Sequence, residues 1–453
     1  MTTFIKAMRL RDVVLMNVVA VVGLRWIARG ARTGPASVTL WVLAWIAFFV
    51  PLAIAVSRLA RRYPEQGGLY VWVRRAFGPT HGFFCGWCLW VNNLFYFPSL
   101  LVFAAANLAA IGGPSWQAMG QTRWFVVVFV LAGIWIAAGI NIIGLRQGKW
   151  LQNAGTLGVW IPVGLLVGCG ALALVRFGSA TPFTAASMVP RGDLLDTIGL
   201  WSAMCFAFSG FEISSFVGQE VENPETTIPR GVFIAGALVT AVYVLGSASV
   251  LFAIPVSELK ELSGITDAVQ LVAGRVGFGG LGALTGALLV LNGLAGTASW
   301  TAGAARVPFA AGVDAAMPRA FAALHPRYRT PHVALIVQSL ASSAIFVASV
   351  LVTATMQEAY DILVNLTILI YFVPYLYLFA AQVRLLPDSP KPIAWMGFAA
   401  TVVSLGLTFL PPPGSKVLVF EMNLVVQAVV TLGVGAAFYA WSRRRVTPPD
   451  AAR

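Results

Sequence analysis

The sequence is poor in charge: only 10% of its 453 residues are Asp, Glu, Lys or Arg, while 58% are apolar and the mean hydropathy is +0.82. Soluble domains carry roughly 25% charged residues, so this composition excludes an ordinary soluble enzyme. It also excludes a disordered chain, because disorder requires low hydrophobicity. The composition therefore indicates a protein that lies largely within a lipid bilayer.

Histidine and cysteine are also scarce, with three and four residues. Cys85, Cys88, Cys169 and Cys205 all lie in apolar stretches, so we expect neither a metal cluster nor a disulfide framework. Cys85 and Cys88 have the spacing of a redox motif, but within a membrane helix we interpret them as small packing residues. The sequence also has no phosphate-binding loop and no nucleophile motif in a suitable context. We therefore predict a protein that is not an enzyme, needs no cofactor and is not driven by ATP.

Long apolar runs dominate what is present, and a membrane-spanning helix needs about 20 apolar residues. The runs predict an all-α integral membrane protein with about 12 transmembrane helices, at residues 13–33, 36–57, 82–111, 123–144, 153–175, 197–219, 231–254, 278–305, 333–353, 359–382, 393–411 and 419–441. The whole chain, 1–453, is then one transmembrane domain with short loops.

The basic residues predict how this domain is oriented. With a cytoplasmic N-terminus, 21 of the 30 Lys and Arg residues fall on cytoplasmic segments, 6 on outer loops and 3 within the first run. Membrane proteins retain positive charge on the cytoplasmic side, so we predict a multi-pass protein of the cytoplasmic (inner) membrane with both termini in the cytoplasm. This asymmetry accounts for most of the net charge of +13 without a nucleic-acid partner.

Two runs are interrupted by a glycine beside a charged residue, at Val22-Gly23-Leu24-Arg25-Trp26 and at Phe208-Ser209-Gly210-Phe211-Glu212. An interrupted helix leaves backbone groups unpaired, which is tolerated in a membrane only where they line a cavity or bind a ligand. Free N–H groups suit a carboxylate and free carbonyls suit an ammonium group, so the pair of breaks predicts a site for an amino acid. The alternative is that Gly23 and Gly210 only allow helices to pack closely.

The breaks also divide the chain. Run 1 opens a first set of five helices, 13–175, and run 6 opens a second set, 197–382. A set with an odd number of helices ends on the opposite side of the membrane, so the second set of five would have the inverted orientation. The two helices of 393–441 fall outside the repeat.

Three predicted cytoplasmic stretches resemble the amino acid permeases of the APC (amino acid–polyamine–organocation) superfamily. They are Arg62 to Trp72, Glu222-Asn223-Pro224 followed by Ile228 to Gly231, and Arg306 to Pro318 continuing to Thr330-Pro331. The resemblance implies a LeuT-like five-plus-five inverted repeat that works by alternating access. It implies amino acid or polyamine substrates, moved by proton- or sodium-coupled symport or by exchange.

The resemblance also implies roles for residues of this chain. The substrate carboxylate would meet the backbone of Val22, Gly23, Leu24 and Arg25, and the ammonium group would meet carbonyls that include Phe208 and Ser209, beside Gly210. Asn93 would read the substrate side chain, close to Asn92 and Tyr96. From their location alone, we also expect that five aromatic residues gate the site: Trp26, Phe95, Tyr96, Phe208 and Phe211. Many permeases have Gly-Ser-Gly where this chain has Gly23-Leu24-Arg25, so an arginine replaces a residue that usually lets the backbone approach the substrate.

Charged residues inside the runs need partners or a cavity. Insertion of an arginine at the centre of a membrane helix costs about 2.5–3.5 kcal/mol of free energy. Arg25, Arg29 and Arg32 share one helix face, with Arg32 expected near the outer interface. For Arg25 we keep two interpretations: a permanent ion pair with Glu212, or a receptor for a carboxylate-rich substrate. In the second case Glu212 is left to carry a coupling proton, because burial favours the protonated acid.

Weaker polar signals lie in the later runs. Ser299 or Thr301 could contribute to a sodium site between runs 1 and 8, although small hydroxyl residues are also routine in helix packing. Asp361 and Asn365 share a face of run 10, with Asp361 at its outer end.

Together these patterns predict a secondary transporter of amino acids, coupled to protons or else to sodium, embedded in the lipid bilayer as a monomer or homodimer. The alternatives are an amino acid exchanger, a carrier of amines or polyamines, and a non-transporting sensor with a permease fold. Arginines close to the site argue against a polycation, because like charges repel.

Overall fold

A computed structural model describes residues 8–63, 68–120, 122–190, 198–212, 221–308, 317–411 and 417–446. Within these ranges the chain is helical, and its one β-type contact is an isolated bridge between Met8 and Val221. The first eight helices are α1 (Leu10–Val21), α2 (Arg25–Ala31), α3 (Ala36–Arg62), α4 (Gly68–Phe77), α5 (Pro79–Ile111), α6 (Gly113–Gly120), α7 (Arg123–Ile143) and α8 (Leu145–Phe177). The others are α9 (Trp201–Phe206), α10 (Pro224–Ala253), α11 (Gly264–Arg275), α12 (Gly280–Ala304), α13 (His332–Val352), α14 (Met356–Leu385), α15 (Lys391–Leu407) and α16 (Val417–Val446).

Nine helices in the described part of the chain are long and apolar enough to cross a membrane, and α1 with α2 forms a tenth candidate that is bent by 60°. All twelve predicted runs coincide with at least one helix, so the all-α class is confirmed. The count of twelve spans stays a prediction, because α15 has only 17 residues and the sixth run is described only as far as residue 212. The short helices α4, α6 and α11 lie between the predicted runs.

The helices differ in how deeply they are enclosed. In the most apolar stretches of α5 and α14, 78% of the residues are buried, against 17% in α16. The two enclosed helices therefore form the centre of the bundle, and α16 lies at its rim. Buried asparagine side chains find hydrogen-bond partners within their own helices. Each side-chain amide donates to the backbone carbonyl four residues earlier, at 2.7 to 2.8 Å, in Asn17, Asn93, Asn107 and Asn141.

Helix α3 contains one turn of π-helix at Trp45–Phe49. Phe48 packs edge-on against Tyr375 of α14, with ring centroids 5.5 Å apart, and Phe49 packs against Phe211 at 4.8 Å. Adjacent residues of α3 thus contact two different parts of the bundle.

Hydrogen bonds between loops and helix ends join segments that the charge distribution predicts on the same side. On the predicted cytoplasmic side they pair Met8 with Glu222, Arg58 with Asp388 and Ile142 with Thr330. On the predicted outer side they pair Arg32 with Glu261, Arg123 with Thr353 and Ala180 with Phe252. These contacts are consistent with helices that cross the membrane in alternating directions.

Candidate functional site

The first helix break lies where the sequence predicts it. Helix α1 ends at Val21 and α2 begins at Arg25. A Cβ atom added at Gly23 would lie 2.5 Å from the indole of Trp26, so a larger residue would displace that ring. Glycine at this position therefore lets the Trp26 side chain lie against the backbone of the break.

Tyr243 of α10 joins this break to the second one. Its hydroxyl accepts a hydrogen bond from the N–H of Gly23 at 3.1 Å and lies 2.9 Å from the carbonyl of Val21 and 3.1 Å from that of Ala207. The single hydroxyl proton can be donated to one carbonyl at a time. The ring is fully buried and stacks on Trp41, with centroids 4.4 Å apart. One side chain thus binds backbone groups of both breaks. The sequence does not predict this role for Tyr243, because its only signal is a single phenol in the apolar run 231–254.

The second break follows α9, which ends at Phe206. Gly210 has a φ of +109°, in a region that strongly favours glycine. Its N–H donates to the hydroxyl of Tyr375 at 3.0 Å and to Oε2 of Glu212 at 3.2 Å. The residues after Glu212, from 213 to 220, lie outside the described ranges.

Glu212 is 3% exposed and lies against α14. It accepts hydrogen bonds from the hydroxyls of Tyr371, on Oε1, and Tyr375, on Oε2 at 2.8 Å. The two tyrosines are four residues apart and therefore share a helix face. Two hydroxyl groups and one backbone N–H therefore converge on the carboxylate of Glu212.

Arg25 is 1% exposed and contacts α5 instead. Its Nη1 donates to Oγ of Ser99 at 2.7 Å, and its guanidinium lies 4.3 Å from the ring of Trp26 and 4.5 Å from that of Tyr96. The expected ion pair between Arg25 and Glu212 is not formed, because each group is held by a different helix.

A pocket lies between the two breaks. It contains about 410 Å³ not filled by protein atoms, part of it open to solvent. Five of the predicted site residues line it: Trp26, Asn93, Tyr96, Ser209 and Gly210. Its other lining residues are Ala20, Val21, Asn92, Phe206, Ala207, Trp300 and Tyr371. Small-molecule sites commonly have aromatic walls and a few polar groups.

Other predicted site residues lie behind the pocket wall. Val22, Gly23, Leu24 and Arg25 belong to the first break but do not line the pocket. The side chains of Phe208 and Phe211, expected as gates, are fully buried and pack on Phe49, with centroids 5.6 and 4.8 Å away. These two rings therefore stabilise the second break and do not face a ligand in the pocket.

The suggested sodium ligands lie on α12. Thr301 is 2% exposed, and its carbonyl accepts a hydrogen bond from the side-chain amide of Gln338 on α13 at 3.2 Å. Ser299 is half-buried. The sodium site stays a prediction.

A second polar group, which we name the outer charge cluster, consists of Arg29, Arg32, Glu261 and Asp361. Nη1 of Arg29 donates to both Glu261, at 2.6 Å, and Asp361, at 2.8 Å, while Nη1 of Arg32 donates to the other oxygen of Glu261 at 2.6 Å. The side chains of Arg29, Glu261 and Asp361 are at most 4% exposed. Two positive and two negative charges make the cluster neutral overall.

The cluster ties α2 to α14 and to the loop before α11. Burial alone would raise the pKa of the Glu261 carboxyl, but the positive charges of Arg29 and Arg32 outweigh burial and hold that pKa below its ordinary value. Nη2 of Arg29 also approaches Asn365, at 3.5 Å, so Asp361 and Asn365 share a face as predicted. Glu261 was missed because a single loop glutamate carries no sequence signal.

Comparison with known proteins agrees with the architecture. A family model described as amino acid permease matches residues 10–434. An uncharacterized transporter of Legionella pneumophila is 26% identical over 93% of this chain and 94% of its own. The probable agmatine/putrescine antiporter AguD of Lactococcus lactis is 24% identical over 89% of this chain and 88% of its own. The low-affinity putrescine importer PlaP of Escherichia coli is 28% identical over 70% of this chain and 68% of its own.

Proposed function

This chain belongs to the amino acid permease family, and from that premise we propose that it carries amino acids across the membrane by alternating access, as a proton-coupled symporter. The observation that carries the proposal is the pocket enclosed by both helix breaks. Its walls combine aromatic rings, the amides of Asn92 and Asn93 and the irregular backbone around Ser209 and Gly210. Such a surface suits a small ligand with both apolar and charged parts.

The outer charge cluster supports alternating access. Helix α2 continues from the first break and holds Arg29, whose guanidinium bonds the loop residue Glu261 and Asp361 of α14. Movement of α2 away from α14 would separate buried charges, which is costly unless another interaction replaces them. In our proposal the cluster holds the outer end of the pocket closed, and its opening is one step of the transport cycle.

Glu212 is our proposed site for the coupling proton. In this arrangement two tyrosines of α14 and the N–H of Gly210 donate hydrogen bonds to its carboxylate. In our proposal, a shift of α14 relative to the second break removes the tyrosine donors, and Glu212 takes up a proton in their place. Proton uptake would then accompany the conformational change.

The second candidate is a carrier or exchanger of amines, because two relatives bear the names of a putrescine importer and an agmatine/putrescine antiporter. A sensor that binds a ligand without moving it is the third. Transport measurements separate all three, since an exchanger needs substrate on both sides and a sensor gives no flux.

The test uses the purified full chain in proteoliposomes, with labelled amino acids, putrescine and agmatine outside and an imposed inward proton gradient. We expect amino acid uptake that a protonophore abolishes. Trp26→Ala, which alters the pocket wall, should abolish uptake. Trp395→Ala is the matched control, because Trp395 is 52% exposed on α15 and away from the pocket. Uptake that needs internal substrate would favour exchange, and an absence of uptake and exchange for every compound would refute transport.

We also propose that residues 13–175 and 197–382 form the two inverted repeats, with the termini in the cytoplasm. The orientation can be tested with single cysteines in a chain without native cysteines. They replace the exposed residues Arg58 and Ala185. In sealed right-side-out vesicles, an impermeant maleimide should label position 185 and spare position 58. The opposite pattern would reverse the orientation.

A further inference from the structure

Arg25 carries hydrogen-bond donors that no described residue satisfies. Its Nη1 is bound to Ser99, but Nε and Nη2 have no hydrogen-bond partner in the described part of the chain. The residue is 1% exposed. A buried charged group without partners is costly, so this guanidinium is a candidate for binding a ligand.

The contacts of the guanidinium with described residues leave one of its edges without a hydrogen-bond partner. Its group lies close to the rings of Trp26 and Tyr96, and Ser99 occupies the Nη1 position. The remaining edge consists of Nε and Nη2, which point in the same direction and are spaced to bind the two oxygens of a carboxylate. The free donors thus have the geometry of a bidentate carboxylate receptor.

A comparison within the same helix strengthens this interpretation. Arg29, one turn further along α2, is neutralised by two carboxylates. Arg25 has no ion pair in the described ranges, although both arginines are almost fully enclosed. Within the described part of the chain, acids therefore neutralise one buried arginine of α2 and not the other.

The guanidinium of Arg25 lies behind the wall of the pocket. Trp26 and Tyr96, which flank the guanidinium, both line the pocket, so a movement of these two rings would bring a ligand there into contact with Arg25. Tyr360 of α14 is within electrostatic reach of Arg25, and its buried hydroxyl also has no hydrogen-bond partner in the described chain. Among the described residues, the donors near Arg25 therefore outnumber the hydrogen bonds that they make.

We propose that Arg25 binds the substrate carboxylate through Nε and Nη2, so that this transporter accepts α-amino acids and rejects amines that lack a carboxylate. The inference rests on the proposed function and names its substrate class. It sets this chain apart from relatives named for putrescine and agmatine, because an unneutralised guanidinium repels a dication.

The test compares amino acids with the amines that they become when the carboxylate is removed. The probes are the pairs ornithine and putrescine, arginine and agmatine, lysine and cadaverine, alanine and ethylamine, and phenylalanine and phenethylamine. Binding is measured on the purified full chain in detergent as ligand-dependent thermal stabilisation, which follows from selective binding to the folded state. The variants are Arg25→Gln, Arg25→Lys and Tyr360→Phe, with Arg275→Gln, an exposed arginine of α11, as matched control.

We expect the amino acid of at least one pair to bind about 100-fold more tightly than its amine, because a buried charge-assisted bidentate contact is lost in the amine. Arg25→Gln should abolish this preference and Arg25→Lys should keep only part of it, because lysine lacks the two-pronged edge. Arg275→Gln should bind as the wild type does. Tyr360→Phe should lower amino acid affinity several-fold while leaving the fold intact.

Three results would overturn the inference: an amine that binds as tightly as its amino acid, an Arg25→Gln protein that keeps the preference, or a wild type that binds no amino acid of the set. If Arg25→Gln is not monodisperse, Arg25→Lys carries the test, since it keeps the positive charge. Uptake into proteoliposomes is scored separately. Amino acid binding without flux would refute transport and leave the inference standing, whereas rapid putrescine uptake would support transport and overturn the inference.

Discussion

The backbone N–H of Gly23 donates a hydrogen bond of 3.1 Å to the hydroxyl of Tyr243, across 220 positions of sequence. The same hydroxyl lies beside the carbonyls of Val21 and Ala207. One side chain of α10 therefore contacts both breaks and fixes the distance between them.

Tyr243→Phe should keep the stacking on Trp41 and lose all three polar contacts. A buried polar group left without a partner costs about 1–3 kcal/mol. We expect a clear fall in Tm and at least a tenfold loss of uptake, since the two breaks are no longer held together. Tyr439→Phe is the control: it also removes a hydroxyl contact, with Thr80, but on the peripheral helix α16. Equal uptake by both variants would show that Tyr243 has no special role.

Gly23→Ala should damage the pocket directly. The added Cβ would lie 2.5 Å from the Trp26 indole, which must then move away from the break. Overpacking of this kind costs about 1–3 kcal/mol. We expect weakened ligand binding in the thermal-shift assay. In Gly139→Ala, where an added Cβ meets no atom within 4 Å, binding should be unchanged.

Asp361→Asn should weaken the outer charge cluster. Removal of one partner leaves a buried charge unbalanced, which typically costs about 3–5 kcal/mol. We expect the outer end of the pocket to open more often. The measurement uses a cysteine introduced at the pocket residue Ala20 in a chain without native cysteines. An external maleimide should label this cysteine faster in Asp361→Asn than in the unsubstituted background.

The double variant Arg29→Gln, Asp361→Asn is the matched control for that change. It restores neutrality, because Arg32 and Glu261 still pair at 2.6 Å. Stability should partly recover relative to Asp361→Asn alone. A purely additive loss would mean that Arg29 and Asp361 are not energetically coupled.

Glu212→Gln should separate exchange from proton-driven uptake. Glutamine has a similar size, but it cannot change charge at any working pH. Uptake driven by a proton gradient should disappear, while exchange between labelled and unlabelled substrate continues. Tyr371→Phe, which removes one donor to Glu212, should shift the pH dependence of uptake without abolishing it. Unchanged gradient-driven uptake in Glu212→Gln would exclude Glu212 as the proton carrier.

Acid should destabilise the protein through Glu261. Its pKa is lower in the folded chain than the ordinary value of 4.5, because the charges of Arg29 and Arg32 outweigh burial. Its contribution to stability is therefore complete above about pH 4.5 and is lost as the pH falls through the lower folded value. A plot of Tm against pH should show this loss in the wild type and a smaller one in Glu261→Gln.

The sequence predicted the helices well because hydrophobic length is a local property. The all-α class, the first helix break and the shared face of Asp361 and Asn365 are readable from spacing alone. The site predicted from the glycines beside charges stays a prediction, although Gly210 and the Trp26 ring that packs on Gly23 line the pocket.

The partners of those residues could not be predicted in the same way. An ion pair with Glu212 is one of two interpretations of Arg25 that the charges allow, whereas the fold brings Ser99 to the arginine and two tyrosines of α14 to the acid. Such contacts depend on how helices rotate against one another, which a hydrophobic run does not specify. Tyr243 and Glu261 were missed for the same reason: each is ordinary in its own segment and becomes important only through residues far away in sequence.

The π-helical turn at Trp45–Phe49 has a consequence for how this chain tolerates changes in length. The turn accommodates one residue more than a regular helix would, and each residue of an α-helix turns about 100°. Deletion of a single residue within the turn would remove the extra residue and let α3 continue as a regular helix, with its two halves keeping their relative facing. A one-residue deletion elsewhere in α3 would instead rotate one half against the other by about 100°. Within α3 the π-helical turn is therefore the place where a one-residue deletion does least harm, and its cost there is limited to the contacts of Phe48 and Phe49.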